Sequence, residues 1–436
     1  MVLEFKIENF RSFKTQQVFS FVAETTKSKP NNVVEVLLPK NSSVRLLKSG
    51  VIFGANASGK SNFLKAFHAF KFLVTSSDTF KLDRTIDCYE PFLLDNNSRN
   101  KPTKFDITFL LKGDVHYIKY HYSIEYNDTE IIAESLDYYP NSQPANLFKR
   151  KRLEGDYHEI KRGDDLKKKG IPDKFLKNQL ILSKFGSEPH ELLNPVYRFF
   201  SNLSMGNVLD ENQVYRLVDI IGKEITKSEN EAFTEKLVSL IKVGDTQIEN
   251  IFAGEMSIKE IDSIKKLPLP DTIKDKIIED NRLRIMGEHK VYENGEVIGH
   301  ENFDFRNNIS LGTNAIFAIG GLILKKFEKG GLIVFDELDN SLHPKISRFF
   351  IQLFHNTNIN KGNAQIIFST HEPLLMDKDM FRSDQIWFTQ KNKFGESELY
   401  SAQDFEGVRE DIPFDKWYMA GKFGALPNIQ ESLLSL

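Results

Sequence analysis

Residues 50–62 read GVIFGANASGKSN, an apolar run that ends in glycine and passes into a loop closed by Gly59-Lys60-Ser61. Gly54 to Ser61 satisfies G-x-x-x-x-G-K-[ST]. In that spacing, backbone N–H groups wrap phosphate oxygens, the lysine neutralises them and the serine hydroxyl ligates Mg²⁺. With glycine near 7% of residues, a chain of this length meets the pattern by chance only about 1 to 2% of the time. The flanks fit the same reading. Val44 to Phe53 reads as strand, and Phe63, Leu64, Phe67, Phe70 and Leu73 recur at helical spacing, so a helix beginning just after Lys60 would turn its N-terminus toward the anion. Gly54, Asn56, Ser58, Gly59, Lys60, Ser61 and Asn62 are therefore the candidate phosphate contacts, with Ser61 also a metal ligand.

A second stretch far along the chain complements the first. Gly331 to Glu337 (GLIVFDE) is a buried-strand pattern ending in two adjacent carboxylates, which are costly at such a place unless they serve a cation or a reaction. Asp336 would hold the hydration shell of Mg²⁺, and Glu337 would polarise an attacking water. Ala364 to Ser369 is another apolar strand and finishes in Thr370-His371. A neutral imidazole there could bond a terminal phosphate and the same water.

The rest of the chain sets bounds. Its 436 residues are 40% hydrophobic with a formal net charge of -3, so a large core is affordable and no global attraction to nucleic acid or anionic lipid exists. The single cysteine, Cys88, allows no internal disulfide. No stretch approaches the roughly 20 apolar residues of a membrane span, and a reducing cytoplasm is the expected setting. The chain opens with a hairpin pattern around Leu3, Phe5, Ile7 and Val18, Phe19, Phe21. Residues 104–140 read as an antiparallel meander, residues 208–282 as charged helical segments, and Asn294-Gly295 as the turn of a hairpin. Three consecutive parts are expected: residues 1–200 with the glycine loop and the meander, 201–300 as a helical insertion with a hairpin, and 301–436 with the strands that end in Asp336-Glu337 and before His371. The dense basic run at residues 149–169 reads as a solvated hairpin surface, with a nucleic-acid or partner patch as the alternative.

Taken together, ENFRSF, FGANASGKSN, ISLGTN, LIVFDELDNSLHP, FSTHEPLLMD and AGKFGALPNI resemble the ABC-type ATPases of the chromosome-maintenance and recombination-repair class. The closest likeness is to the stand-alone ATPases of bacterial abortive-infection and other anti-phage operons. That resemblance implies an α/β P-loop NTPase of ABC type, with a mixed sheet, an N-terminal antiparallel subdomain and an inserted helical region. It implies ATP and Mg²⁺ as cofactors, Ser310 and Gly312 as the ABC signature, Asp339 in the loop after the catalytic acid, His371 as the switch histidine and Arg11 as a phosphate-contacting arginine. The signature reads S-L-G-T-N in place of L-S-G-G-Q, which puts its contacts on Ser310 and the backbone around Gly312. Gln179 in KNQLILSKFG is either the family's Q-loop glutamine or a surface residue of a helix, and it is left unassigned.

In such ATPases each nucleotide lies between the glycine loop of one protomer and the signature of another, which implies an ATP-linked homodimer or larger even oligomer. Heptads sustained over many turns are absent, which excludes a long coiled-coil arm between Lys60 and Ser310. The 65 residues after His371 are too few for the head's end and a nuclease domain together, so the expected partner is a separately encoded effector, a nuclease or toxin. The alternative is a DNA-clamping repair ATPase that loads a nuclease.

Overall fold

The computed structural model describes residues 1–141, 143–153, 158–169, 175–207, 211–227, 231–244 and 247–427. It divides into two compact units. One comprises residues 1–205, 329–337 and 351–436, the other residues 206–328 and 338–350. The partition therefore departs from three consecutive parts, because residues 301–328 and 338–350 group with the insertion.

In the first unit, the opening hairpin pairs Val2–Glu8 with Gln17–Ser20, and Val2–Glu8 also pairs antiparallel with Thr103–Lys112. From there the meander runs through Tyr117–Tyr126, Ile131–Tyr139, Ala145–Arg152 and His158–Arg162, each antiparallel to the last. Among the described residues this makes a seven-stranded sheet. Period-two patterning drives it: Phe105, Ile107 and Phe109 are buried while Lys104, Asp106 and Thr108 between them are half-buried.

A second sheet carries the chemistry-bearing strands. Leu332–Asp336 pairs parallel with Gln365–Ser369, which pairs parallel with Ser49–Phe53. Ser49–Phe53 in turn pairs parallel with Ile386–Lys391, and Ser397–Ser401 closes the run antiparallel. The first three of these strands are wholly buried, as continuous apolar runs in parallel sheets require. The helix Lys60–Ser76 supplies the shared core. Phe5 of the antiparallel sheet stacks on Phe67 of the helix at 4.0 Å between ring centroids, and Leu332, Val334 and Ile367 of the parallel strands belong to the same cluster. Each such ring contributes about 1.5–3 kcal/mol on burial.

The second unit is not purely helical. Helices Glu211–Ile225, Glu231–Ile241, Ile258–Lys265 and Asp271–Asn281 accompany a three-stranded antiparallel sheet of Ile248–Glu255, Leu283–Glu293 and Glu296–Asp304. The hairpin turns at Asn294-Gly295, both with positive φ. Helix Leu311–Lys329 belongs with this unit because its glycines let neighbours approach. A Cβ at Gly320 would lie 2.5 Å from Leu240, and one at Gly321 2.4 Å from Ile221. The insertion's helices Glu211–Ile225 and Glu231–Ile241 thus pack onto the helix that follows Ser310.

The basic run 149–169 is the paired ends of strands Ala145–Arg152 and His158–Arg162 followed by the short helix Asp164–Lys169; residues 154–157 fall outside the described residues. Arg150 does not belong to its surface. It is fully buried and donates to the carbonyls of Gln179 at 2.5 Å and Lys177 at 2.9 Å. The closing AGKFGALPNI passes beyond the described residues after Pro427.

Candidate nucleotide-phosphate site

The loop that opens the sequence is built at the carboxyl end of the strand Ser49–Phe53. Gly54 has φ 153° and Gly59 has φ 123°, backbone that L side chains rarely adopt. Space forbids a side chain as well: a Cβ at Gly54 would lie 2.5 Å from the Thr389 carbonyl, and one at Gly59 2.7 Å from Ser397 Oγ. Two hydroxyls pin the loop to the sheet. Ser58 Oγ bonds Thr389 Oγ1 at 2.6 Å, and Ser397 Oγ donates to the Ser58 carbonyl at 2.6 Å. The helix then begins at Lys60 without a side-chain cap, so its first-turn N–H groups are open to an anion.

Lys60 is 4% exposed and donates to the loop's own carbonyls, Gly54 at 2.7 Å and Ala55 at 3.1 Å. Its Nζ also lies 3.4 Å from His371 Nδ1. An ammonium offers no acceptor, so in this contact Nδ1 is the acceptor and Nε2 carries the imidazole proton. Nε2 points at Glu337 Oε1, 3.4 Å away. Lysine, histidine and glutamate thus form a chain in which His371 orients the Glu337 carboxylate.

One hydroxyl holds the Asp336 carboxylate and the Glu337 backbone. Ser369 Oγ donates to Asp336 Oδ1 at 2.6 Å and accepts from the Glu337 N–H at 2.8 Å. Ser61 Oγ donates to the same Asp336 Oδ1 at 3.1 Å. Asp336 itself is 8% exposed, and Glu337 sits at φ 53°, left-handed backbone that a non-glycine residue pays for. The turn directs Asp336 and Glu337 to different tasks. Oxygen donors from a serine and an aspartate are the set a hard divalent cation takes, so Ser61 and Asp336 fit Mg²⁺. Two turns along the helix, burial pushes the His68 imidazole below its ordinary pKa, with Lys71 adding to the effect and Asp336 opposing it.

Arg11 and Asn62 meet at the same helix start. Arg11, at φ 51°, grips Glu90 with Nε at 2.8 Å and Nη2 at 2.6 Å, and reaches Asn62 Oδ1 with Nη1 at 3.1 Å. Asn62 Nδ2 donates to Ser12 Oγ at 2.9 Å. The arginine is therefore held next to the loop by a carboxylate that a phosphate would have to rival.

The sequence model of the family described as "AAA domain, putative AbiEii toxin, Type IV TA system" matches residues 51–377. That span is 327 of 436 residues and contains the loop, both carboxylates and His371. The chain belongs to this family. Comparison with curated proteins gave no match. Membership of an AAA family makes the fold that of a P-loop NTPase and the chain an ATPase of the abortive-infection kind.

Within this AAA chain, the remaining sequence-assigned residues lie in the second unit. Ser310 is exposed and caps its own helix: its Oγ accepts from the Thr313 N–H at 3.2 Å and pairs with Thr313 Oγ1 at 2.9 Å. Buried Asn314 ties the turn together through the carbonyls of Phe305, Ile309 and Ser310. The Cα of Gly312 faces the Asp339 loop closely enough that a Cβ there would meet the Ser341 carbonyl at 3.2 Å. Asp339 is half-buried in that loop.

Gln179 is not the surface residue of a helix that one of its two readings made it. It is 5% exposed, and its amide is committed to the carbonyls of Asp78 at 2.8 Å and Phe80 at 3.1 Å. Ser369, Thr389, Ser397 and Glu90 were missed. Ser369 had one legible signal, its place two residues before His371 at the end of a strand. The other three act through contacts remote in sequence.

Proposed function

We propose that this chain is an ABC-type ATPase that binds ATP with Mg²⁺, closes into a dimer across the nucleotide, and opens after hydrolysis. The observation that carries the reading is the Lys60–His371–Glu337 chain beside the Ser61–Asp336 pair. Lys60 and the helix N-terminus neutralise phosphate charge, Ser61 and Asp336 hold the cation, and Glu337 accepts a proton from water while His371 keeps the carboxylate in place. Mg²⁺, when bound, supplies charge neutralisation at the phosphates. The exposed Ser310 supports the signature role, because it stands at a helix N-terminus whose first N–H groups, ahead of the capped Thr313 N–H, are where a partner's nucleotide would be met.

The conformational cycle then acts on a separately encoded effector, a nuclease or toxin, in anti-phage defence within the cell. The abortive-infection and toxin–antitoxin description of the family supports that setting. Glu337→Gln tests the core of the reading. With ATP and Mg²⁺ the variant is expected to keep binding and to accumulate as a dimer or larger species by light scattering. A monomer at saturating ATP overturns the dimer. For the cellular role, protection from phage is expected to vanish when neighbouring genes are deleted while ATPase activity persists. Toxicity of the chain expressed alone would overturn effector control and make this protein the toxin.

A further inference from the structure

Between Thr79 and Thr103 the chain forms no helix or strand. An irregular connection longer than about 12–15 residues inside a compact unit commonly has a task. This one is fixed to residues 9–11 through its backbone. The Arg11 N–H donates to the Glu90 carbonyl at 2.6 Å, and the Phe92 N–H donates to Asn9 Oδ1 at 3.1 Å. Asn9, 3% exposed, gives its Nδ2 to the carbonyls of Ser98 at 3.0 Å and Lys101 at 2.8 Å. Glu90 is therefore bracketed from both sides before its side chain makes any contact.

That side chain adds a contact the fold gains little from. Both carboxylate oxygens of Glu90 accept from Arg11, at Nε and Nη2, while Arg11 Nη1 donates to Asn62 Oδ1 in the first turn of helix Lys60–Ser76. The two side chains are 28% and 42% exposed, and an ion pair that open contributes little to stability. A carboxylate beside an anion site also repels the anion unless its charge is spent. Here it is spent on Arg11. A guanidinium has five N–H donors; Glu90 and Asn62 account for three of them among the described residues, which leaves two for a ligand at the open start of the helix. Phosphate and Glu90 thus contest the charge of Arg11 but not its N–H groups.

We propose that Glu90 is a positioning residue of the nucleotide site: its carboxylate, aimed by the bracketed backbone, holds the Arg11 guanidinium so that the remaining N–H groups meet a nucleotide phosphate. The inference rests on the reading of Gly54 to Ser61 as a nucleotide-phosphate site. An arginine oriented in advance has met its ordering cost before the ligand arrives. Released from Glu90, it keeps its charge but samples rotamers in which those donors miss. Were phosphate instead to displace Glu90 from Arg11, loss of Glu90 would tighten nucleotide binding, the opposite sign.

Steady-state ATP hydrolysis by the full chain with Mg²⁺ tests the assignment. Glu90→Gln is expected to raise KM about tenfold, the scale of one hydrogen bond to a charged group, and to leave kcat unchanged. In the Arg11→Ala chain the same substitution is expected to change KM no further, whereas a purely structural role would raise it in both backgrounds. Glu90→Asp keeps the charge on the same bracketed backbone but shortens its reach. Its KM is expected to fall between those of the parent and Glu90→Gln, and it carries the test alone if Glu90→Gln does not fold. An unchanged or lowered KM in Glu90→Gln, an equal rise in both arginine backgrounds, or a parental KM in Glu90→Asp overturns the positioning role. A parent chain without ATPase activity would instead strike the nucleotide-site reading itself, and the inference with it.

Discussion

The glycine loop and the ISLGTN turn are built on opposite plans. The loop is clamped: Ser58 and Lys60 are each 4% exposed, and the hydroxyls of Thr389 and Ser397 hold Ser58 from another strand pair. The turn is open. Ser310 is exposed and its side-chain bonds run to Thr313 in the same turn. A clamped loop has met the ordering cost of binding before nucleotide arrives, whereas an open helix N-terminus meets it when a partner docks. The contrast is the one expected if the first element holds ATP alone and the second is completed only in a dimer.

Removing the centre of the clamped element should have the largest effect. Lys60→Ala is expected to bring ATP binding below detection in a calorimetric titration, because backbone N–H groups alone do not offset the phosphate charge that the ammonium meets. Affinity equal to that of the parent chain would mean that the loop does not hold the phosphates. The next effect belongs to chemistry and not to binding. Glu337→Gln is expected to slow steady-state hydrolysis by roughly 10² or more, the usual scale for a lost general base, while its affinity for ATP stays near the parental value. A parental turnover rate would place the water under another residue.

A smaller, partial effect tests the open element directly. Lys60→Ala and Ser310→Arg chains should each be inactive alone, yet a mixed dimer regains one composite site from two damaged chains. Phosphate release is measured across mixing ratios, with the heterodimer verified by tagged pull-down. Heterodimer without recovered activity would show that Ser310 does not serve the partner's nucleotide.

The contrast also explains what the sequence made legible. The strand before Gly54, the helix after Lys60 and the buried strand ending at Asp336 were readable because local patterns determine them: a continuous apolar run, a 3.6-residue repeat and a fixed motif spacing. The clamp was not. Thr389 and Ser397 lie more than 330 residues from Ser58 in sequence, and no local pattern announces a hydroxyl that meets a loop across a sheet. The surface reading of Gln179 failed for a related reason, since its environment is set by carbonyls about 100 residues away. The strand Ile248–Glu255 was hidden inside a segment whose charge and flanking helices pointed to helix. It buries Ile248 and Ile251 and leaves the residues between and after them half-buried or exposed, so tertiary pairing with Leu283–Glu293 decides its conformation.

The smallest expected effect lies away from both elements, at the amino end of the parallel strands, and it is a pH dependence of stability. His355 is buried against Ser49, and burial, reinforced by the charge of Lys48, depresses its pKa from 6.5 to about 3. His355 lines a cleft of about 520 Å³ on which Lys29 and Asp379 are the other charged groups. The unfolded chain therefore takes up a proton near pH 6.5 that the folded chain refuses until about pH 3. Between those values the unfolded state binds more protons, so stability falls as pH falls. Relative to a pH well above 6.5, the loss at pH 5.5 should be about 1.4 kcal/mol, one pKa unit's worth of differential protonation. His355→Gln has no such proton to refuse. Urea unfolding of both chains at pH 7.5 and 5.5, in buffers free of phosphate and carboxylate, should thus show the parent losing about 1.4 kcal/mol more than the variant. Equal losses would mean that His355 titrates normally in the folded protein, and that its burial against Ser49 does not hold it neutral.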